Sequence, residues 1–285
     1  MNLTSPSQVK AWCIENGFHP NKVLGQNFLI DQNALKAIVD AGLEGLETKD
    51  ERRDDRVSGL PSQVLEIGPG LGVLTEEMLK RGCAVTAIEK DSVLAARLKE
   101  SLGNPEGLTV IAGDALDWIA QSNNQTIKQS NNFDVMISNL PYQAGTRILL
   151  ELVKARELKS MTVLVQTEVA ERLAAKEGSK VRGLAGVWAQ LDYDVRIVRK
   201  VAASCFWPRP EIGSSVVRLD QHDRNLSLSD GERDLFHRLT KQAFEHRRKQ
   251  LGSIFKDMIQ STARAEELSN EDWINLTKGL INEDT

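Results

Sequence analysis

Short apolar runs rich in Val and Ile recur at Val64–Gly68, Ala84–Glu89, Leu108–Gly113, Phe133–Ser138 and Met161–Gln166. The stretches between them, Leu74–Lys80, Ser92–Leu102, Thr146–Val153 and Val169–Lys176, have helix-forming composition. Strands covered on both faces read as unbroken apolar runs, and their alternation with helices predicts βαβ units. The expected fold is a doubly wound, Rossmann-like α/β sheet with helices on both faces.

After Gln190 the alternation stops. Tyr193–Val201 and Ser215–Leu219 are strand-like runs joined by a Pro-containing loop with no helix between them, which predicts an antiparallel hairpin at the end of the sheet. Two polar stretches, Glu44–Ser62 and Gln121–Asn132, read as surface loops. From Leu228 onward the pattern is helical, with Ser229 as N-cap and Glu232 as its capping-box partner. Leu251, Ile254, Phe255, Met258 and Ile259 repeat at helical spacing and are expected to face a core. The expected division is a larger domain over 1–220 and a small helical one over 221–285, the latter binding RNA.

Composition changes this picture little, since 41% hydrophobic and 27% charged residues describe a globular chain that can bury a core. No apolar run reaches the roughly 20 residues that span a bilayer, and the polar start from Met1 to Gln8 has no signal-peptide core, so a cytoplasmic protein is expected. Cys13, Cys83 and Cys205 are too scattered for a disulfide framework or zinc site, and the four histidines lack ligand spacing, so no metal is expected. Charge is more informative. Arg238–Lys256 holds six basic residues against one acidic, a local +5, which leaves −9 for the rest of a chain of net −4. Contact with nucleic acid should therefore be regional, and Arg247, Arg248 and Lys249 are its candidates. If Arg238–Lys256 is one helix, Lys241 lies above Arg248 and Lys249 above Lys256.

The run ending at Gly68 leads into Pro69-Gly70-Leu71-Gly72 and then a helix, a turn that lets backbone approach a ligand at the carboxyl end of a strand. Glu89 ends the next strand about 20 residues on, where a carboxylate accepts from ribose hydroxyls. Asp114, after the third strand, can accept from an adenine amino group or cap a helix. Nicotinamide cofactors want a G-x-x-G opening to the helix, whereas Gly72 follows Gly70 by two, a spacing that favours S-adenosylmethionine. Asn139-Leu140-Pro141-Tyr142 follows the fourth strand directly. An adenine amine is a poor nucleophile, and the Asn139 side-chain oxygen with the Leu140 carbonyl could polarise it without an ionised base. Pro141 would stiffen the turn and Tyr142 would stack on the base.

Taken with Gly25-Gln26-Asn27-Phe28-Leu29, Glu66-Ile67-Gly68-Pro69-Gly70, Gly113-Asp114-Ala115, Gln166–Leu173, Phe206-Trp207-Pro208-Arg209-Pro210 and Arg247-Arg248-Lys249, these motifs resemble the small-subunit ribosomal RNA adenine dimethyltransferases of the KsgA type. The resemblance runs from about Lys22 to Lys256. It implies a class I methyltransferase sheet and an S-adenosylmethionine site made of Gln26, Asn27, Leu29, Gly68, Gly70, Glu89, Lys90, Asp114, Ala115 and Asn139. It also implies a target adenine held between Tyr142 and Phe206, and small-subunit rRNA or a pre-ribosomal subunit as partner; nothing in the sequence suggests an obligate dimer, so a monomer is expected. The chain departs from the pattern at Ser138, where Gly is usual, at Gln143-Ala144-Gly145, at Arg182 in place of Tyr, and at Glu211 and Gly213 in place of Lys and Asp. Related enzymes that methylate large-subunit rRNA are the nearest alternative; Gly25 in place of Ser and the basic Arg-Arg-Lys run favour the small-subunit class. An inactive ribosome-assembly factor would share the frame without needing an intact Asn-Leu-Pro-Tyr. A protein-glutamine methyltransferase would carry an Asn-Pro-Tyr-like motif without the basic run.

Overall fold

The computed structural model describes residues 1–21, 24–46, 62–122, 133–225 and 228–283. Most of both expected loops, 47–61 and 123–132, and Lys22 at the start of the resemblance lie outside the described residues.

Along the chain run α1 (Pro6–Glu15), β1 (Phe28–Leu29), α2 (Gln32–Leu43), β2 (Gln63–Ile67), α3 (Val73–Lys80), β3 (Ala84–Glu89), α4 (Ser92–Ser101), β4 (Leu108–Ala112) and α5 (Ala115–Ser122). Then follow β5 (Val135–Asn139), α6 (Gly145–Ala155), β6 (Ser160–Gln166), α7 (Thr167–Leu173), α8 (Leu184–Asp192), β7 (Tyr193–Val201), β8 (Phe206–Trp207), β9 (Ser214–Gln221), α9 (Asp230–Glu245), α10 (Leu251–Phe255) and α11 (Asn270–Glu283). Seven strands form one sheet in the order β4-β3-β2-β5-β6-β9-β7. β2 to β6 pair in parallel, and β9 runs antiparallel against β6 from Ser160↔Asp220 to Gln166↔Ser214. The strand order reverses between β2 and β5, the place where doubly wound sheets open a crevice at their carboxyl ends. The hairpin expected from the sequence is thus folded inward, with the later strand beside β6 and β7 at the edge.

The chain divides into two compact units, Met1–Thr167 with Arg196–Asp220, and Glu168–Val195 with Gln221–Thr285. In the first, Leu74, Met78, Val85, Ala87, Ile137 and Val216 share a core with Ile38 and Val39 of α2. α2 begins where the Asp31 side chain accepts from the Ala34 N–H at 2.7 Å, which satisfies one of the helix's orphan donors. β1 and β8 form a separate two-stranded ribbon, with Leu29 opposite Phe206.

The second unit takes in a segment that the sequence division had left with the first. The reason lies in polar bonds buried within it. Arg233 of α9 donates to both oxygens of Asp192 at the end of α8, at 3.0 and 2.7 Å, with both side chains only 7% exposed. The Trp188 indole N–H donates to Thr240, and Asn270 donates to the Val187 carbonyl. Arg182 is almost wholly buried, donating to the Ala175 carbonyl and to the Asn270 side chain, and burial pulls its pKa below the usual guanidinium value. The departure at position 182 therefore places an internal clamp where an aromatic ring was expected.

Ser229 caps α9 and forms the capping box with Glu232. The run from Arg238 to Lys256 is not one helix. α9 stops at Glu245 and α10 starts at Leu251, because Gln250 bridges Arg264 and the Leu251 N–H donates to the Ala263 carbonyl, drawing the chain aside. Lys241 consequently does not stack above Arg248. Leu251, Phe255 and Ile259 are buried as expected, Ile254 is half-buried, and Met258 points to solvent at 56% exposure.

Candidate active site

The carboxyl ends of β2, β3 and β5, with the turns after them, line a cavity of about 440 Å³. Its floor is the turn after β2. Gly68 and Gly70 have φ of +68° and +59°, a left-handed backbone that other residues adopt only with strain. A Cβ on Gly70 would stand 3.1 Å from the Phe28 ring, so lack of a side chain is also what lets this turn lie against β1.

Glu89 closes β3 with both oxygens oriented by backbone. Gly70 N–H donates to one at 3.0 Å and Asp91 N–H to the other at 2.8 Å. The Lys90 backbone also donates to this carboxylate, which keeps acceptor capacity for a ligand hydroxyl. Burial pushes the Glu89 pKa up, against the pull of those backbone donors. Beside it, Glu66 is 1% exposed and accepts from the Thr75 hydroxyl at 2.6 Å. Burial raises its pKa to about 8; the Thr75 bond opposes this and the Glu89 charge adds to it. Glu66 lines the cavity, although it is not among the site residues expected from the sequence. A carboxylate in the interior of a buried parallel strand was the available signal.

Asp114 uses one oxygen to accept from Leu116 N–H at 2.8 Å, at the start of α5, and the other to accept from Lys90 Nζ at 2.7 Å. The hydrogen bond from Lys90, with that from the Leu116 N–H, holds its pKa below the usual carboxylate range. Lys90 and the buried Ala115 also line the cavity, as does Arg147 of α6, which sequence reasoning passed over. Gln26 lines it too, but its amide is engaged at both ends, donating to Asp91 at 2.9 Å and accepting from the Asn21 N–H at 2.7 Å. It holds the segment before β1 against the start of α4.

Asn139, the last residue of β5, donates through Nδ2 to the Asn27 carbonyl at 3.1 Å. That bond fixes which end of the amide is the donor and leaves its oxygen as the acceptor available to a ligand. Asn27 in turn donates to the Gly25 carbonyl, so the segment Gly25–Leu29 orients Asn139 through a chain of amides. Leu140, Pro141 and Tyr142 continue around the cavity, and Leu29 meets it from β1. The half-buried Tyr142 is pinned by its hydroxyl, 2.7 Å from Ser214 Oγ of β9, and burial raises its pKa. Phe206 is not brought to this cavity. At 2% exposure its ring joins the core across from Leu29, so the sandwich of two rings implied by the resemblance is not assembled here.

Arg247, Arg248 and Lys249 lie in the turn between α9 and α10. Arg247 is half-buried, donates to the Lys180 carbonyl and lies 3.5 Å from Glu266. Arg248 and Lys249 are exposed.

A glycine turn after β2, acidic residues at the ends of β3 and after β4, and an Asn-Leu-Pro-Tyr turn after β5, all on one edge of this sheet, define a class I methyltransferase. Two solved structures share the fold. A dimethyladenosine transferase from Plasmodium falciparum aligns with a TM-score of 0.70 at 22% identity, over 90% of this chain and 98% of that one. The 23S rRNA methyltransferase ErmE aligns with a TM-score of 0.62 at 21% identity, over 90% and 100%. In sequence, residues 17–280 match the family described as "Ribosomal RNA adenine dimethylase". Curated relatives named "Ribosomal RNA small subunit methyltransferase A" include one from Deinococcus radiodurans, 40% identical over 91% of this chain and 80% of its own length. Another, from Protochlamydia amoebophila, is 33% identical over 97% and 96%. The chain belongs to the ribosomal RNA adenine dimethylase family.

Proposed function

We propose that this chain transfers methyl groups from S-adenosylmethionine to the exocyclic amines of adenines in small-subunit (16S) rRNA, giving dimethyladenosine during ribosome biogenesis in the cytoplasm. The names of the curated relatives support the substrate. The observation that carries the chemistry is the orientation of Asn139, whose amide nitrogen is occupied by the Asn27 carbonyl and whose oxygen is thereby the acceptor.

The cavity's residues fit the cofactor. Glu89 would accept from the ribose hydroxyls through its spare lone pairs, the glycine turn would admit the ligand to close backbone approach, and Asp114 would take the adenine amine beside Lys90. When bound, S-adenosylmethionine supplies an electrophilic methyl group on a sulfonium. The Asn139 oxygen and the Leu140 carbonyl would accept the amine hydrogens of the target base, two before the first transfer and the one that remains before the second, which restores electron density to its nitrogen and aims the lone pair, and the proton displaced by each new N–C bond leaves to solvent. Tyr142, held by Ser214, stacks on the base, and Pro141 keeps the turn rigid. Exposed Arg248 and Lys249 would hold rRNA phosphates.

Single-turnover methyl transfer tests this reading. Asn139→Ala should lower the rate on the order of a hundredfold or more while RNA binding stays near normal. Normal transfer with poor RNA binding would make Asn139 a turn residue only.

A further inference from the structure

β2 and β5 are neighbours, yet their backbone pairing ends early, at Val64↔Val135 and Leu65↔Met136. Each stays with its other neighbour longer. β2 keeps β3 to Ile67↔Ile88, and β5 keeps β6 to Asn139↔Leu164. The two halves of the sheet therefore part before their carboxyl ends, and that parting is the crevice into which Gly68 and Asn139 open. Across it the Ile67 N–H donates to the Ser138 hydroxyl oxygen at 2.8 Å, and Ser138 is 0% exposed. Ile67 immediately precedes the glycine turn, and Ser138 immediately precedes the Asn-Leu-Pro-Tyr turn. One buried hydrogen bond thus ties together the roots of the two turns.

A backbone carbonyl in this role would draw the strands to the ordinary ladder spacing of about 4.8 Å. A serine interposes Cβ and Oγ, so it satisfies the buried N–H while leaving the strands apart. Glycine, the residue expected at 138 from the resemblance, offers no such acceptor.

We propose that the Ser138 hydroxyl is a positioning element that sets the separation between the glycine turn and Asn139, and so aligns the cofactor with the amine it methylates. This rests on the function proposed above. The chemistry at Asn139 depends on that separation, because misplacement by about 1 Å costs on the order of a hundredfold in rate.

The test uses the full chain with Ser138→Ala, Ser138→Gly and Ser138→Cys. It measures amide hydrogen exchange at Ile67, cofactor affinity by calorimetry, and single-turnover transfer to small-subunit rRNA at saturating cofactor and RNA. Ala and Gly should speed Ile67 exchange, weaken the cofactor about threefold and slow transfer roughly tenfold, with RNA affinity unchanged. Cys nearly preserves the side-chain volume and keeps a weak acceptor, so it should fold and lie between wild type and Ala on each measure. Faster Ile67 exchange with wild-type transfer and affinity would reduce the bond to a stabilising interaction and overturn the proposal, as would unchanged Ile67 exchange. Absence of transfer by the wild-type chain would instead sink the functional reading. The proposal would then be decided by cofactor affinity, with wild-type affinity in the Ala and Gly variants refuting it.

Discussion

Glu66→Gln removes one ionisable group from the interior and keeps an oxygen that can accept from Thr75. Burial lifts the folded-state pKa of Glu66 to about 8 from an ordinary 4.5. Between those values the folded chain holds a proton that the unfolded chain has released, so stability falls as pH rises, by at most about 1.4 kcal/mol per pH unit. Below 4.5 both states are protonated and above about 8 both are ionised, so Glu66 adds no slope there. Across pH 5 to 8 the wild-type chain should therefore lose roughly 3 to 4 kcal/mol relative to the Gln variant. Urea unfolding of both proteins at half-unit pH steps reads this difference directly, since every other titrating group is common to the two. Parallel stability curves through this window would mean that Glu66 is ionised in the folded chain, and would refute the burial argument.

Glu89→Ala should weaken S-adenosylmethionine by about 1.5 to 3 kcal/mol in calorimetry, the usual size of hydrogen bonds to a charged group, and unchanged affinity would show that Glu89 only anchors Gly70 and Asp91. Asp192→Ala strands the buried Arg233 guanidinium and should cost about 3 to 5 kcal/mol in chemical denaturation, whereas a loss below about 1 kcal/mol would mean that water reaches the pair. Arg248→Gln with Lys249→Gln should lower the slope of log affinity for the small subunit against log salt by roughly 0.7 to 0.9 for each phosphate no longer held. Arg247→Gln should act mainly on stability, through its bonds to Lys180 and Glu266, and an unchanged slope in the double variant would move the RNA-binding surface elsewhere.

The central strands were legible because parallel strands buried on both faces leave unbroken Val- and Ile-rich runs; Ala84–Glu89 has the same bounds in sequence and structure. The Ser229–Glu232 capping box was legible because it is local. α8 was not, since Leu184–Asp192 is buried on nearly every side and has neither apolar periodicity nor a side-chain N-cap. The break after Glu245 depends on Gln250 meeting Arg264, a pairing that helical spacing does not encode. At the site, the glycine turn, Glu89 and Asn139 stand at strand ends and could be placed by counting. The covering of Phe206, the engagement of Gln26 by Asp91 and Asn21, and the bond of Ser138 to Ile67 each join or bury residues brought together by the fold, and only the folded chain reveals them.

The most direct test of the central claim is mass spectrometry of nucleosides from small-subunit rRNA, prepared from cells with and without the gene, with the purified chain and S-adenosylmethionine then added to the unmethylated subunits. The account predicts that dimethyladenosine is lost with the gene and restored by the wild-type chain but not by Asn139→Ala. Dimethyladenosine persisting in the rRNA of cells that lack the gene would contradict it.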